Sequence, residues 1–425
     1  NYEEKVEPED TIYFLLDELR KEKRQIVILI DEYDCQMTAN INNETLYKQF
    51  QEKIKSFYAT IKNKWPIKFL GITGVTRLKD VEIFSIGSDI NDITNDSVYS
   101  QMIGFTRDEI KKYYIDYLTL AASYENKCRV EEVTDTQIES MLDMMAQNYD
   151  GYCFDEFYKK KVFSTWSVNK FFQSVVSNKF VYFGEYWYDN GGLPSILVNY
   201  LKTHELNIFE YLDKDKFLKV SSDDFKNPTA LTTINQNVLM CQTGYLTLRS
   251  DLKKSSTVLL GIPNGEIYKA LNRLLANNIF KGKADVTDDQ GKNLLEEGTV
   301  DDIINLFNSA LNSVSYDNYP IVSESSVQNM LKLYLLGAHQ KVLSEVHEAK
   351  GRADLVVNTD NRRIVFEFKY AKNETEAKSK LLDAVEQIKT RDYGNIVPNK
   401  TELLRIAAVF NADPKVRAFT EYQEV

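Results

Sequence analysis

The chain has 425 residues, a length that allows about three domains and a substantial buried core. Hydrophobic residues make up 43% and charged residues 27%, which excludes an intrinsically disordered chain. The net charge of −11 argues against a protein whose whole surface binds nucleic acid or anionic lipid. The acidity is uneven, because segment 341–425 has 15 Lys and Arg against 14 Asp and Glu, a net charge of +1.

Several classes of protein and site are excluded at once. No apolar stretch reaches the roughly 18 residues of a membrane span, so we expect no membrane partner. The first ten residues are acidic and do not resemble a signal peptide, and the four cysteines form no CxxC pair. We therefore expect a cytoplasmic protein without a disulfide framework. With three histidines and no HExxH, a metal site would use carboxylates, which favour Mg²⁺ or Mn²⁺ over zinc.

The first hundred residues predict an α/β unit. A helical pattern over 9–24 precedes five consecutive apolar residues, 26–30, which are typical of a strand buried on both faces. A helical stripe over 46–61 and a second apolar strand over 67–73 complete a strand–helix–strand unit of a parallel sheet.

Polar residues stand at the carboxyl ends of both strands, where parallel sheets bind ligands. These residues are Asp31, Glu32 and Thr73. An apolar strand that ends in Asp-Glu is the Walker-B arrangement, in which Asp holds Mg²⁺ and Glu polarises the attacking water. The same two acids can equally begin a solvated loop. The sequence has no GxxxxGK[ST] motif, so we do not expect efficient ATP binding or hydrolysis.

Residues 101–280 predict a largely helical region, a lid or a winged-helix-like fold. We expect capping boxes at Thr106-Arg107-Asp108-Glu109 and at Thr136-Gln137-Ile138-Glu139. The polar stretch 281–300 predicts a linker, and an apolar helix face follows it. We place a domain boundary within 281–320.

The last hundred residues contain the strongest chemical pattern. In the predicted strand 363–370, Phe366 and Phe368 share one face, while Glu367 and Lys369 share the other. Asp354 lies on the preceding strand, across a short hairpin. Two carboxylates and a lysine on adjacent strands can hold a divalent metal and position a water. The alternative is a solvated cross-strand pair, but the apolar flanks make idle charges costly to bury.

Motifs along residues 20–270 resemble the AAA-ATPase-like family. The resemblance is carried by LIDEYD at 29–34, GITGVTR at 71–77, Phe84-Ser85, NDIT at 91–94, GFTRDE at 104–109, YDGYCF at 149–154, Trp166-Ser167-Val168, QTGYLT at 242–247 and IPN at 262–264. It implies that Asp31 and Glu32 are the Walker-B pair and that Thr73 is a sensor near the γ-phosphate. Arg77 is either a phosphate contact or a surface salt-bridge residue. Family members carry a Walker-A loop upstream, and here the chain starts after that point.

Motifs near the carboxyl end resemble the PD-(D/E)XK nuclease domain that often accompanies that family. They are GRADLV at 351–356, EFK at 367–369, QI at 387–388 and Tyr393. The resemblance implies that Asp354 and Glu367 ligate Mg²⁺ and that Lys369 orients the nucleophile or offsets charge. It also implies that Gln387 contacts substrate or water. Glu345 is a further candidate ligand with a structural alternative. An acid from the first helix stays unassigned, with only Glu324 nearby.

The sequence thus predicts an α/β chain in four segments. These are an AAA-ATPase-like domain with a truncated parallel sheet (1–100), the helical lid or winged-helix-like region (101–280), a linker and helix (281–320), and a restriction-endonuclease-like domain (321–425). The expected function is an Mg²⁺- or Mn²⁺-dependent nuclease acting on DNA. One alternative is a non-catalytic scaffold of a mobile-element, defence or toxin system, which would bind a protein partner through the AAA-like or helical region. Another is an ATPase that needs an absent upstream segment.

Overall fold

The computed structural model describes residues 8–61, 66–77, 90–189, 195–201, 204, 206–228, 233–281, 291–338, 340–348, 351–391, 393 and 402–425. It forms two compact units. The first comprises Asn1–Leu206 and Lys214–Tyr268, and the second comprises Asn207–Asp213 and Lys269–Val425. Both units mix helices and strands, as the sequence predicts. Phe84-Ser85 and most of the expected linker, 282–290, lie outside the described residues. Within the ranges above, no helix is both long and apolar enough to cross a membrane.

Two parallel strands begin the first unit. β1 (Ile26–Ile30) pairs in parallel with β2 (Ile67–Ile72), as the strand–helix–strand pattern predicts. α1 (Pro8–Lys21) precedes β1, and α2 (Cys35–Ala39) and α3 (Glu44–Ile61) connect the two strands. α1 packs against α3, so the amphipathic faces of these two helices cover each other.

The prediction that β1 is buried on both faces is wrong. Val27 is 53% exposed and Leu29 is 75% exposed, and Phe69 on β2 is 57% exposed. Ile28, which points to the opposite face, is half-buried. A run of apolar residues indicates a strand, but burial also needs a second layer, and the described part of the unit leaves the Val27 and Leu29 side open to solvent.

The rest of the first unit is mainly helical, with a three-stranded antiparallel sheet in the order β3-β5-β4. Its helices are α4 (Arg107–Tyr113), α5 (Ile115–Asn126), α6 (Asp135–Tyr149), α7 (Thr165–Asn178), α8 (Tyr186–Asp189), α9 (Ser195–Leu201), α10 (Ser222–Lys226), α11 (Gln236–Gln242) and the start of α12 (Gly265–Ile279). Its strands are β3 (Leu218–Ser221), β4 (Thr247–Leu248) and β5 (Thr257–Gly261). A 3₁₀ turn, Val130–Glu132, lies in this unit, and a second one, Ile208–Glu210, belongs to the second unit.

Capping boxes begin two of these helices. Thr106 and Glu109 form the box of α4, as expected. The box of α6 is formed by Thr134 and Gln137, so the expectation that Thr136 caps this helix is wrong. Thr134 is followed by Gln137 three residues later, and Thr136 is followed by Glu139, so either threonine could form a capping box. The box at Thr134 lets the helix start two residues earlier.

The second unit is a five-stranded sheet with helices packed on it. After α12 come the helical residues 291–297 and then α13 (Val300–Leu311), α14 (Glu324–Gly337), β6 (Lys341–Glu348), β7 (Gly351–Asn358), β8 (Arg362–Ala371), α15 (Glu374–Arg391), β9 (Glu402–Asn411) and β10 (Ala418–Glu424). The strand order is β10-β9-β8-β7-β6. β8 and β9 are parallel, while the other neighbouring strands are antiparallel.

The central strand β8 is buried on both faces. Phe366 and Phe368 stack on each other, and they also contact Phe307 of α13 and Phe419 of β10. On the other face Val365 packs in a cluster that includes Ala384 of α15. Strands covered on both sides are typical of α/β sheets. Consequently any charged side chain on β8 lies in a largely apolar environment.

Candidate active site

The hairpin of β7 and β8 brings two carboxylates together. Leu355 pairs with Phe366 in the antiparallel register. Asp354 precedes Leu355 and Glu367 follows Phe366, so the two acids occupy the next opposed positions of the hairpin. Side chains at opposed positions of antiparallel strands lie close together on one face. The Phe368 backbone N–H donates to Asp354 Oδ2 at 2.8 Å, which orients the Asp354 carboxylate toward β8.

Glu367 is a fully buried carboxylate, with 0% exposure. Its Oε1 accepts a hydrogen bond from Lys369 Nζ at 2.8 Å. Its Oε2 is also buried and has no hydrogen-bond partner among the described residues. Burial raises the pKa of Glu367 to about 7, the negative charge of Asp354 adds to the rise, and Lys369 opposes it. An orphaned buried oxygen of this kind is unusual, and a carboxylate oxygen so placed can accept a proton or a cation.

Lys369 links β8 to the helix α14. Its Nζ lies 3.4 Å from Oε1 of Glu324, at the start of α14. Burial alone would lower the pKa of Lys369, but the hydrogen bond to Glu367 and the charges of Glu324 and Asp354 outweigh it, so the pKa is raised. Lys369 is therefore held in its charged form, facing a set of three acids.

Helix α14 contributes two residues that the sequence motifs do not assign to the site. Glu324 is partly exposed and contacts Lys369 as described above. Gln328, one turn later, donates from Nε2 to the backbone oxygen of Asp354. Residues one turn apart on a helix share a face, which is the only sequence signal that could have related them to the site.

Helix α15 places Gln387 beside a tyrosine. Gln387 Nε2 donates to the hydroxyl of Tyr393 at 3.3 Å, and Arg391 Nη1 donates to the same hydroxyl at 2.9 Å. Tyr393 is fully buried. Glu345 lies on β6, but its side chain is outside the described residues.

The second candidate site is at the carboxyl ends of β1 and β2. The Thr73 hydroxyl donates to Asp31 Oδ1, and the backbone N–H of Glu32 donates to the same carboxylate oxygen at 3.1 Å. Glu32 has a φ of +49°, in the left-handed region that non-glycine residues rarely occupy. The three expected residues are thus brought together, and they line a cleft of about 2010 Å³ within the first unit.

A buried acid holds these two loops together. Asp34 is 1% exposed and accepts hydrogen bonds from the backbone N–H groups of Thr76, at 2.6 Å, and Val75, at 3.1 Å. The Thr76 hydroxyl also donates to it. Gly74 is required here, because a Cβ would come within 2.4 Å of the Tyr33 ring. The last Asp of the LIDEYD motif therefore has a structural function, which its position in the motif does not reveal.

Arg77 follows this loop and forms an ion pair. Its Nη2 lies 2.5 Å from Oδ2 of Asp92, and its backbone N–H donates to Gln242 Oε1 at 3.3 Å. Of the two interpretations drawn from the sequence, this pairing corresponds to the salt-bridge one.

Comparisons with known proteins agree with the two sets of motifs. Residues 322–420 match the family model described as PD-(D/E)XK nuclease superfamily. The second unit therefore carries a PD-(D/E)XK nuclease superfamily domain. Residues 2–84 match a model described as predicted AAA-ATPase. The nuclease resemblance is thus confirmed over 322–420 and the AAA-ATPase-like resemblance over 2–84, whereas the motifs at 91–264 lie outside the second match.

One curated protein is similar over most of the chain. It is described as "Uncharacterized protein in vnfD 5'region" of Azotobacter chroococcum mcd 1. The identity is 22% over 401 residues, which cover 92% of this chain and 70% of that protein.

The nuclease superfamily match includes the whole β7–β8 hairpin and helix α15. Asp354, Glu367, Lys369 and Gln387 all fall inside it, and Glu324 falls at its beginning. A mixed sheet flanked by helices, with the acids on neighbouring strands, fits a restriction-endonuclease-like fold.

Proposed function

We propose that this protein is a metal-dependent nuclease that hydrolyses DNA phosphodiester bonds. The observation that carries the proposal is the buried Glu367, whose Oε2 has no hydrogen-bond partner in the described part of the chain, next to Asp354 on the adjacent strand. A scaffold protein would gain nothing from burying such a group, because an unsatisfied carboxylate oxygen costs free energy.

The residues present fit a divalent metal. Asp354 and Glu367 supply carboxylate oxygens, which Mg²⁺ and Mn²⁺ prefer. Within the described ranges no group of three or more His, Cys, Asp or Glu side chains is arranged as a metal site. Mg²⁺ commonly binds through one or two carboxylates, with waters and substrate phosphate completing its shell. When bound, such an ion lowers the pKa of a coordinated water and stabilises charge on the phosphate.

The side chains around the metal position have distinct tasks. Asp354 is oriented by the Phe368 N–H, so it needs no rearrangement before it binds a ligand. Lys369 stays protonated and offsets the negative charge that develops on the phosphate during attack. Glu324 contacts Lys369 Nζ and so helps to hold it in place. Glu345 stays a candidate ligand from the sequence, and its side chain is outside the described residues.

We propose DNA as the substrate because segment 341–425, which contains Asp354, Glu367 and Lys369, is not acidic, unlike the rest of the chain. Residues 341–425 have a net charge of +1, while the remaining 340 residues have a net charge of −12. Basic side chains near a metal site bind and position phosphates. For the first unit we keep Asp31, Glu32 and Thr73 as a candidate Mg²⁺–nucleotide site, although the chain lacks the glycine loop that cradles phosphates.

The test is cleavage of plasmid and linear DNA with Mg²⁺ or Mn²⁺. We expect Asp354→Asn and Lys369→Met to lose at least about 100-fold in rate, since each removes a group that acts on the reacting phosphate. Asp383→Asn, which changes an exposed acid of α15, is the matched control and should cleave like the wild type. Undiminished cleavage by Asp354→Asn would show that the site is wrong. The absence of cleavage under all conditions would favour the scaffold alternative.

A further inference from the structure

Arg391, at the end of α15, is held by a hydroxyl group rather than by a carboxylate. Its Nη1 donates to the Tyr393 hydroxyl at 2.9 Å, while the side chain remains exposed to solvent. Other arginines are in ion pairs, such as Arg362 with Glu402 at 2.9 Å and Arg107 with Glu139 at 2.6 Å. A guanidinium has five N–H donors, so one bond to a phenol leaves its charge and most of its donors available for an anion.

The tyrosine that holds Arg391 is itself fixed. Tyr393 is fully buried, and its backbone oxygen accepts a hydrogen bond from Arg405 Nε of β9 at 2.6 Å. Gln387 Nε2 donates to its hydroxyl from the preceding turn of α15. With the ring and the hydroxyl both restrained, the position of the guanidinium is set before any ligand arrives.

Arg391 also lies close to the two acids of the candidate active site. The hydrogen bond to Tyr393 raises the pKa of Arg391, and the negative charges of Glu367 and Asp354 add to the rise. The packing agrees with this proximity. Tyr393, to which Arg391 is bonded, lies in one apolar cluster with Ala353, the neighbour of Asp354, and with Val365, two residues before Glu367.

Gly351 is needed for this arrangement. A Cβ at residue 351 would come within 2.6 Å of Arg391 Cδ and within 3.2 Å of Tyr393 Cε1. Arg391 Cδ belongs to a long, flexible side chain, so an alanine would displace the arginine rather than the strand. The glycine thus leaves space for the arginine to pack against β7.

We propose that Arg391 binds a backbone phosphate of the nucleic-acid substrate next to the Asp354–Glu367 site, and that Tyr393 and Gln387 are positioning residues for it. The proposal rests on the nuclease function proposed above and adds a substrate-binding group to that site. A planar guanidinium forms paired hydrogen bonds with phosphate oxygens, a geometry that lysine does not reproduce.

The kinetic test compares Arg391→Met with Lys389→Met, which removes an exposed cation two residues away on the same helix. We expect Arg391→Met to raise KM for a short DNA duplex about 10- to 100-fold, with kcat changed less than about threefold. Arg391→Lys should recover part of the affinity, and Lys389→Met should stay within about twofold of the wild type. Equal KM values for Arg391→Met and Lys389→Met would overturn the proposal.

Two further variants separate positioning from folding. Gly351→Ala keeps the charge but moves Arg391, so KM should rise while the midpoint of thermal unfolding changes little. Tyr393→Phe should raise KM less than Arg391→Met, and the double variant should be no worse than Arg391→Met alone, because both act through one contact. Additive effects of the two substitutions would contradict the positioning role.

Binding measurements keep this proposal distinct from the proposed function. On an Asp354→Asn background, the slope of log affinity for duplex DNA against log salt should fall by about 0.9 when Arg391 is replaced, and not when Lys389 is replaced. If the wild type does not cleave DNA but this difference is found, the nuclease proposal fails and the phosphate contact stands. If the wild type cleaves and neither the slope nor KM distinguishes Arg391 from Lys389, the phosphate contact fails alone.

Discussion

Glu367 is an energetically unfavourable side chain in the second unit, because its carboxylate is buried and only partly hydrogen-bonded. It is fully buried, one of its oxygens is bonded to Lys369, and the other has no partner among the described residues. In the absence of a metal, the ionised form is unfavourable, which is why the pKa is raised to about 7. A group that costs stability and yet lies beside a second acid is typical of functional sites.

The first prediction separates activity from stability at Glu367. Glu367→Gln keeps the shape but removes the charge, so we expect cleavage to fall at least about 100-fold while stability without metal is unchanged or higher. Thermal unfolding in EDTA and DNA cleavage in Mn²⁺ measure the two effects. A substantially destabilised but active variant would contradict this assignment.

The second prediction concerns pH. The folded-state pKa of Glu367, about 7, is above its unfolded value of 4.5, so the folded state retains a proton that the unfolded state releases. Stability should therefore decrease as pH rises from about 4.5 to 7, by up to about 3 kcal/mol from this group.

The measurement for this second prediction is denaturant unfolding in EDTA at several pH values. Glu266 is a useful internal reference, because it is also buried and its pKa is also raised to about 7. Glu266 is present in the wild type and in Glu367→Gln. The difference between their pH dependences of unfolding free energy therefore reports Glu367 alone. An identical pH dependence in the two proteins would show that Glu367 does not retain the proton.

Elements built on strong local patterns were predictable from the sequence. The alternation along β8 predicted which residues share a face, and the apolar runs predicted β1 and β2. β10 was not predicted, because AFTEYQE has neither a continuous apolar run nor a regular polar alternation. It is a strand because it pairs with β9 and because Phe419 packs against Phe368, both of which are tertiary effects.

The sites show the same limit. The sequence could indicate Asp354, Glu367 and Lys369, because strand alternation relates neighbouring positions. It did not assign Glu324, 45 residues from Lys369, or Arg391 to the site, because helix docking determines those contacts. Likewise the exposure of Val27 and Leu29 depends on the absence of a covering layer among the described residues, which periodicity does not report.

The third prediction concerns the loop clamp, by which we mean the hydrogen bonds from Val75 and Thr76 to Asp34 at the ends of β1 and β2. Asp34→Asn replaces an acceptor of three hydrogen bonds with a group that faces two backbone N–H donors and a hydroxyl. We expect a loss of about 2–3 kcal/mol in the unfolding free energy of the first unit. Tryptophan fluorescence follows this unit selectively, because all three tryptophans lie before residue 206.

The control for that clamp is Glu52→Gln, an exposed change on α3 that should be neutral. DNA cleavage provides a second control, since the residues that we propose for the nuclease site, Asp354, Glu367 and Lys369, lie in the second unit. If Asp34→Asn unfolds at the same denaturant concentration as Glu52→Gln, the clamp contributes nothing.

At the scale of the whole molecule, the two units divide the chemistry but share the acidity. The acids that we propose as metal ligands are in the second unit, while both units are acidic, with net charges of −7 for the first and −4 for the second. The sequence predicted four segments, whereas the contacts group the chain into two units. Helix α13, which was expected next to a linker, belongs to the second unit and packs on β10.

The fourth prediction is metal-linked stability of the intact chain. A ligand that binds only the folded state stabilises it by about 2.7 kcal/mol at 100 times its Kd. We expect Mn²⁺ to raise the midpoint of one calorimetric transition by a few degrees in the wild type and in Asp383→Asn, but not in Asp354→Asn. A shift of equal size in Asp354→Asn would place the metal elsewhere.

The face of the IVILI strand that the described residues leave uncovered also affects how the protein behaves in concentrated solution. A strand rich in β-branched residues, with solvent-exposed side chains such as Val27 and Leu29, is a template for intermolecular sheet formation. The net charge of −11 opposes this by mutual repulsion between molecules, and salt weakens that repulsion. Light scattering should therefore increase with ionic strength, and Leu29→Lys should suppress the increase, so storage at low salt is the physically favoured condition.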